Sequence, residues 1–214
     1  MRTNYDRQLK KLNDEMVEMG SMIEGVIEKA IKALVNQDVD LAQEVIRRDD
    51  QVDQQEKDIE SLCFKLLLME QPVATDLRQV SSALKMVTDM ERIGDQASDI
   101  AEIIGFLNGR IGTDAQYICQ MAVAAMRMVT ESVEAYVKRD VAMAEATIQH
   151  DDVVDDLFLK VKDSLIQMIS ANPKDGEYAL DLLMIAKYFE RIGDHATNIA
   201  EWVVFSVTGV HEQV

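Results

Sequence analysis

The sequence is poor in the residues that break helices. Its 214 residues include only two prolines and nine glycines, and these are the two residue types that most disfavour helix interiors. Aromatic residues make up only 5% of the chain, whereas methionine occurs 13 times. A core must therefore consist mainly of Leu, Ile, Val, Ala and Met, and this composition favours long helices over a turn-rich β fold.

Cysteine is equally scarce. Cys63 and Cys119 are too few for a disulfide framework, and both lie among apolar neighbours, so we interpret them as reduced core thiols. The N-terminal residues lack the apolar stretch of a secretory signal. No window approaches the roughly 20 uncharged apolar residues that a membrane span needs. We expect a soluble, cytoplasmic protein with no direct membrane insertion.

Positive charge is also in short supply. The chain has 22 basic residues against 39 acidic ones, which gives a net charge of −17. Such a surface repels nucleic-acid backbones and anionic lipid, so nucleic acid is not expected as a partner. Metal cations and basic protein patches are the partners that this charge favours.

Familiar catalytic motifs are missing too. The chain has no Gly-rich phosphate loop, no nucleophile elbow and no Cys–His or Ser–His pairing of the usual kinds. The Glu-x-x-His motif of ferritin-like di-iron bundles is also absent. These absences count against an enzyme of a familiar class.

Apolar residues recur at spacings of three and four, the pattern of amphipathic helices. Six helices are predicted: 4–36, one from about 39 to 70, a third capped by Thr75 or Asp76 and ending near Gly109, a fourth from the cap Thr113 to Lys138, a fifth from the cap Asp140 to Ala171, and a sixth from the turn at 172–176 to Gly209. Asp38 is the predicted cap of the second, and Gln71–Pro72 ends it.

The two halves of the chain repeat helix for helix. The segment ERIGDQASDIAE at 91–102 returns as ERIGDHATNIAE at 190–201, and the acidic stretch beginning at Asp49 returns at Asp151. The best linker is 108–113, where Asn and Gly cluster. We therefore predict an all-α fold, a tandem pair of antiparallel three-helix bundles, with domains at 1–109 and 110–214.

The repeated segment is an amphipathic helix with an acidic front. Glu91, Asp95 and Asp99 fall within a narrow sector of one face, and Glu190, Asp194 and Asn198 occupy the same positions in the second copy. The second helix of each half adds acids at a spacing of three, Asp50 and Asp53 in the first half and Asp152 and Asp155 in the second.

Two interpretations of these acidic faces stay open. A solvated helix face is the simpler one, since Asp and Glu are mostly exposed. Metal binding is favoured because the face is duplicated in position and contains Asp and Asn, which are poor helix formers. Oxygen ligands without Cys partners suit Mg, Ca, Mn or Fe better than structural Zn.

Other residues of the repeated segment have simpler interpretations. Arg92 and Arg191 are expected to pair with nearby acids. Gly94 and Gly193, each costing about 1 kcal/mol against Ala inside a helix, indicate close helix–helix contacts. His195 is interpreted as a polar surface residue, because an exposed His needs no special role.

The sequence resembles the PhoU family over essentially its full length. The matching segments are Gln71–Arg78, Asp89–Asp95 and Phe189–Glu201. The family's Glu/Asp-x-x-x-Asp signature corresponds here to Glu91–Asp95 and to Glu190–Asp194. Its duplication at this spacing in an all-helical chain is highly specific.

The resemblance implies two three-helix bundles with multinuclear metal sites, of Fe, Zn, Mn, Mg or Ca, on the acidic faces. It also implies a protein that is not an enzyme but a cytoplasmic, homodimeric negative regulator of the phosphate regulon and of phosphate uptake. Its expected partners are the ATPase subunit of the Pst phosphate transporter and the phosphate-sensing histidine kinase.

The second half departs from the pattern of the first. Asn198 stands where the first half has Asp99, Tyr188 where it has Asp89, and Phe158 where it has Glu56. The first half is therefore expected to have the better-charged site. Two alternatives remain, an oxygen-ligated Fe or Mn metalloenzyme and a metal-free helical interaction module.

Overall fold

The protein is described by a computed structural model at residues 2–68, 73–107, 109–110 and 115–210. The predicted helix stop at Gln71–Pro72, the cap Thr113 and most of the linker at 108–113 lie outside these residues. Over the described ranges the structure has helices and turns and no strand, which confirms the all-α prediction.

Seven α-helices run through the described residues: α1 Arg2–Asn36, α2 Val39–Leu68, α3 Ala74–Ile104, α4 Gln116–Lys138, α5 Val141–Gln149, α6 Asp151–Ala171 and α7 Gly176–Thr208. A short 3₁₀ turn, Pro173–Asp175, precedes α7. Among the described helices, none combines the length and the apolar character that a membrane crossing requires.

The helices pack as two groups of the same design. α1, α2 and α3 contact one another in the first half, as do α4, the α5–α6 pair and α7 in the second. The most extensive helix–helix contact joins the halves through α3 and α7, and α1 also packs against α4. Buried apolar residues of both halves form one continuous core. The domain boundary between residues 109 and 110 stays a prediction.

The predicted fifth helix is wrong in one respect, because the structure divides it at His150. The N–H of His150 is shared between the carbonyls of Ala146 and Thr147, which tightens the last turn of α5, and α6 begins at the next residue. The His150 ring lies 2.9 Å from Oε2 of Glu131 on α4. The corresponding position of the first half, Arg48, lies inside the uninterrupted α2.

Helix ends agree with most of the predicted caps. Asp38 and Asp140 each accept a hydrogen bond from a backbone N–H in the first turn of the following helix, and Gly209 ends α7 in the left-handed conformation that glycine tolerates best. The third helix differs from its prediction. It begins at Ala74, after the N-cap residue Val73, and ends at Ile104. Asp76 lies within the first turn of this helix, and its side chain accepts a hydrogen bond from the Val73 N–H.

The sulfur-containing residues are core residues, as predicted. Six methionines of α1 and α4 are buried or packed against the core: Met16, Met19, Met22, Met121, Met126 and Met128. Cys63 is buried, and burial raises the pKa of its thiol to about 12. Cys119 is half-buried, and neither cysteine forms a disulfide. Buried thiols of this kind are unreactive and contribute to core packing.

Candidate functional site

The two glycines of the repeated segment bring the acidic helices close together. A Cβ atom at Gly94 would lie 2.9 Å from Cγ1 of Val52 on α2. A Cβ atom at Gly193 would lie 3.1 Å from Oδ1 of Asp151 on α6. Each glycine therefore permits a close helix–helix contact, as predicted, and places the acidic face of one helix against the acids of its neighbour.

The first acidic cluster lies between α2 and α3. Asp49, Asp53 and Asp95 can each bring one carboxylate oxygen to within 4.8 Å of the others. All three side chains are half-buried, as is Glu91 one turn before Asp95. Oxygens at this separation can surround one cation, since hard cations bind carboxylate oxygens at about 2.0–2.6 Å.

Proton affinities in the first cluster show how closely its carboxylates are crowded. Burial and the negative charge of Asp95 raise the pKa of Glu91 to about 7. Burial, Asp95 and Asp53 raise the pKa of Asp49 to about 6. Burial and the charges of Glu102 and Asp95 also raise the pKa of Asp99. At neutral pH the carboxylates of this cluster therefore repel one another, and the positive charge nearby does not offset that repulsion.

The second acidic cluster lies between α6 and α7 and is more open: Asp155 and Asp194 are exposed, and within the described residues the grouping of three oxygens inside 4.8 Å is found in the first cluster only. Burial and the charges of Asp194, Asp155 and Glu190 raise the pKa of Asp151 to about 6. Burial and Glu190 also raise the pKa values of Asp155 and Asp194. Oδ1 of Asp151 is buried and accepts no hydrogen bond from the part of the chain that the structure describes, an arrangement that a bound cation would relieve.

Each cluster has one local basic residue beside it. Nη1 of Arg92 lies 2.9 Å from Asp95, and its Nε lies 3.5 Å from Glu91. Lys187 pairs with Glu190 in the second half. The predicted pairing of Arg92 with local acids is therefore confirmed, and Arg191 lies near enough to Asp99 to lower its pKa.

The structure redistributes some of the predicted ligands. Glu91, Asp53 and Asp95 come together in the first half, as do Asp155, Glu190 and Asp194 in the second. The half-buried residues Asp49 and Asp151 take the places predicted for the exposed Asp50 and Asp152. Asp155 and Asp194 are exposed as well, but their charges act on Asp151. Spacing alone does not separate the two choices, because Asp49 lies four residues and Asp50 three residues before Asp53, and both spacings share one helix face.

Asn198 faces the first half instead of its own cluster. Its side-chain amide donates a 3.0 Å hydrogen bond to Oδ1 of Asp89 on α3. The same oxygen lies 2.9 Å from Nδ1 of His195. The surface interpretation of His195 is therefore wrong: only 20% of its side chain is exposed, because it lies in the α3–α7 contact, which local sequence does not reveal.

Asp99 makes the matching contact in the other direction. The hydroxyl of Tyr188 on α7 interacts with its carboxylate and stabilises the charged form. Asp99 nevertheless stays near its own cluster, since its charge contributes to the raised pKa of Asp49. Tyr188 and Asp89 occupy the same position in the two repeats, so two equivalent contacts cross between α3 and α7.

Comparison with known proteins agrees with this architecture. The family profile of the PhoU domain matches residues 16–104 and 118–203. A phosphate-specific transport system accessory protein PhoU homolog of Clostridium acetobutylicum is 37% identical over 207 residues, which cover 96% of this chain and 94% of that protein. The homolog of Pseudomonas aeruginosa is 32% identical and covers 96% of this chain and 86% of its own length.

Solved structures give the same result. The crystal structure of PhoU from Pseudomonas aeruginosa has a TM-score of 0.93, with 32% identity over 96% of this chain and 100% of that one. The phosphate transport system regulatory protein PhoU from Streptococcus pneumoniae has a TM-score of 0.89, with 25% identity over 98% and 100%. These likenesses confirm the helical-bundle fold.

The family assignment also bears on the predicted absence of catalysis. The relatives are named as accessory and regulatory proteins, so the prediction that this chain is not an enzyme is confirmed and the metalloenzyme alternative is dropped. The matched segments cover each half of the chain from its first long helix to its repeated acidic segment. The chain belongs to the PhoU family.

Proposed function

We propose that this protein is a regulatory accessory protein of phosphate-specific transport. The observation that carries the proposal is similarity over nearly the full length to proteins named for that role. The duplicated acidic clusters offer a binding surface in each half. We propose further that the protein acts in the cytoplasm as a homodimer, repressing the phosphate regulon and limiting phosphate uptake.

Protein–protein contact is the proposed mode of action. The partners would be the ATPase subunit of the phosphate transporter and the phosphate-sensing histidine kinase. A net charge of −17 supports partners with basic surface patches, which it would attract at long range. The two clusters are the most crowded part of that charge, so a basic patch or a cation is what they would bind.

Metal binding on the two clusters is part of the same proposal. The residues fit a cation, since three carboxylate oxygens of the first cluster come within 4.8 Å of one another and, among the described residues, no donor reaches the buried Oδ1 of Asp151. Asp49, Asp53, Glu91 and Asp95 would hold it in the first half, and Asp151, Asp155, Glu190 and Asp194 in the second. A bound cation would offset the mutual repulsion of these carboxylates.

The metal can be tested by elemental analysis. Wild-type protein, purified without chelator or an affinity-column metal, is compared with the double charge reversal Asp95→Lys/Asp194→Lys. We expect equivalents of Fe, Mn, Zn, Mg or Ca that the variant loses, with circular dichroism as the control for folding. Absence of metal from both proteins would contradict metal binding and favour the alternative of a metal-free helical interaction module.

Regulation needs a separate test. In a strain that lacks its own copy of this gene, a reporter under phosphate control should stay active in high phosphate and be repressed once the wild-type protein is supplied. Binding to the purified transporter ATPase subunit, with and without manganese, tests the contact. Continued repression in the strain without the protein would contradict the regulatory role.

A further inference from the structure

The α3–α7 contact treats the two acidic clusters differently. In the first half, Asp99 follows Asp95 by one helical turn and remains close enough to act on the charge of Asp49. In the second half, Asn198 follows Asp194 by one turn, but its amide donates across the contact to Asp89. The residue at this position contacts the opposite helix in both halves, but only Asn198 has a carboxylate, Asp89, as its partner there.

Asp89 is the residue that makes the difference. Its Oδ1 receives both the Asn198 amide at 3.0 Å and the ring nitrogen Nδ1 of His195 at 2.9 Å. Only 16% of the Asp89 side chain is exposed, so these contacts are sheltered from water, and hydrogen bonds to a charged group are the stronger kind. Tyr188 occupies the equivalent position in the other half, where its hydroxyl, and not a carboxylate, meets Asp99.

We propose that Asp89 is a positioning residue that holds Asn198 out of the second acidic cluster, so that this cluster binds a divalent cation without an oxygen ligand from Asn198. The inference rests on the proposed metal binding and concerns the ligands of the second cluster. Releasing Asn198 would let its side-chain oxygen turn toward Asp194, one helical turn away on the same row of α7.

The test separates this effect from simple electrostatics. Removing Asp89 takes away a negative charge, which by itself would weaken cation binding at the second cluster. The positioning role predicts the opposite result for Asp89→Ala. Asp89→Asn is the matched control, since it removes the same charge but keeps a side-chain oxygen that can still accept the Asn198 amide.

Mn²⁺ is titrated into protein in which the first cluster is disabled by Asp49→Asn/Asp95→Asn, so that the signal reports the second cluster. We expect Asp89→Ala to tighten Mn²⁺ binding about tenfold, the size of effect typical of residues that orient metal ligands. Asp89→Asn should give no gain, and adding Asn198→Ala to Asp89→Ala should abolish the gain. If the disabled background binds no Mn²⁺, Asp89→Ala should create measurable binding.

Equal weakening by Asp89→Ala and Asp89→Asn, or a gain that survives Asn198→Ala, would overturn the positioning role while leaving metal binding intact. If the protein with the disabled first cluster binds no Mn²⁺ and Asp89→Ala does not create binding, the positioning role is overturned as well. Absence of Mn²⁺ binding from the wild-type protein is a different outcome, because it defeats the metal part of the proposed function and this inference together. Melting curves of each variant exclude unfolding as the cause.

Discussion

The two acidic clusters descend from one repeated pattern and differ at three equivalent positions. Glu56 of the first half is replaced by Phe158, which packs beneath Lys187 with the ammonium 5.6 Å from its ring centre. Asp89 is replaced by Tyr188 and Asp99 by Asn198. The first cluster therefore has more carboxylates around it, and its Glu91 has a pKa raised to about 7.

The last two replacements are linked, since these positions meet across α3 and α7. Asp99 faces Tyr188, and Asp89 faces Asn198. We call each of these two contacts between α3 and α7 a crossing. If both halves kept the acidic residue at both positions, each crossing would bring two carboxylates together in a half-buried contact, where like charges repel strongly. A repeat that packs against its own copy must differ at such positions, and each crossing here has one carboxylate.

The sharpest way to break this asymmetry is Asn198→Asp, which places two carboxylates at the Asp89 crossing. The change removes a hydrogen-bond donor to a charged group and adds repulsion, so we expect metal-free protein to lose about 2 kcal/mol of unfolding free energy. Urea denaturation in the presence of chelator measures it. The exchanged pair Asp89→Asn/Asn198→Asp restores one carboxylate at the crossing and should recover most of the loss.

Asn4→Asp is a matched control for the same chemical exchange at an exposed site. Residue 4 lies in the first turn of α1, where its side-chain oxygen accepts from Arg7, and a carboxylate there should change stability little. If the Asn198→Asp variant is as stable as Asn4→Asp, a second carboxylate at the contact with Asp89 costs no stability, and repulsion there does not explain why the two halves differ.

The two mid-helix glycines offer a second comparison. Gly94→Ala would place a methyl 2.9 Å from Val52, whose β-branched side chain is stiff in a helix, so overpacking should exceed the helix-propensity gain and cost about 1 kcal/mol. Gly193→Ala meets the carboxylate of Asp151 at 3.1 Å, which can shift. We expect little change in its stability but weaker cation binding at the second cluster.

Urea denaturation measures the first effect and Mn²⁺ titration the second. Gly25→Ala is a suitable control, because a methyl at this α1 position would meet nothing within 4 Å and should show only the propensity gain. Similar stability losses in the Gly94 and Gly193 variants would mean that Asp151 is held as rigidly as Val52.

Local patterns predicted the helices and the acidic faces because both depend on neighbours three and four residues apart. Periodicity identifies the acidic stretch of a helix but leaves open which adjacent residue faces the partner helix, so it does not separate Asp50 and Asp152 from Asp49 and Asp151. His195 was misinterpreted since its partner Asp89 is 106 residues away. Contacts between the halves have no local signature, so the shared core was not predicted either.

The smallest expected effect distinguishes the clusters through pH. In the unfolded chain these carboxyls have pKa values near 4, whereas folding raises that of Glu91 to about 7 and those of Asp49 and Asp151 to about 6. Between pH 4 and 7 the folded protein therefore binds more protons than the unfolded chain, and the free energy of unfolding must fall as pH rises through this range.

Protein kept in chelator should consequently melt a few degrees higher at pH 5 than at pH 7, a modest difference because these side chains are only half-buried and solvent screens their repulsion. The slope should flatten more in Asp49→Asn/Glu91→Gln than in Asp151→Asn/Asp194→Asn, since the first cluster contains the most strongly shifted group. A higher melting temperature at pH 7 without metal would mean that the carboxylates of the first cluster do not repel one another in the folded protein. Equal flattening by the two double variants would instead mean that Glu91 adds nothing to what the second cluster already has.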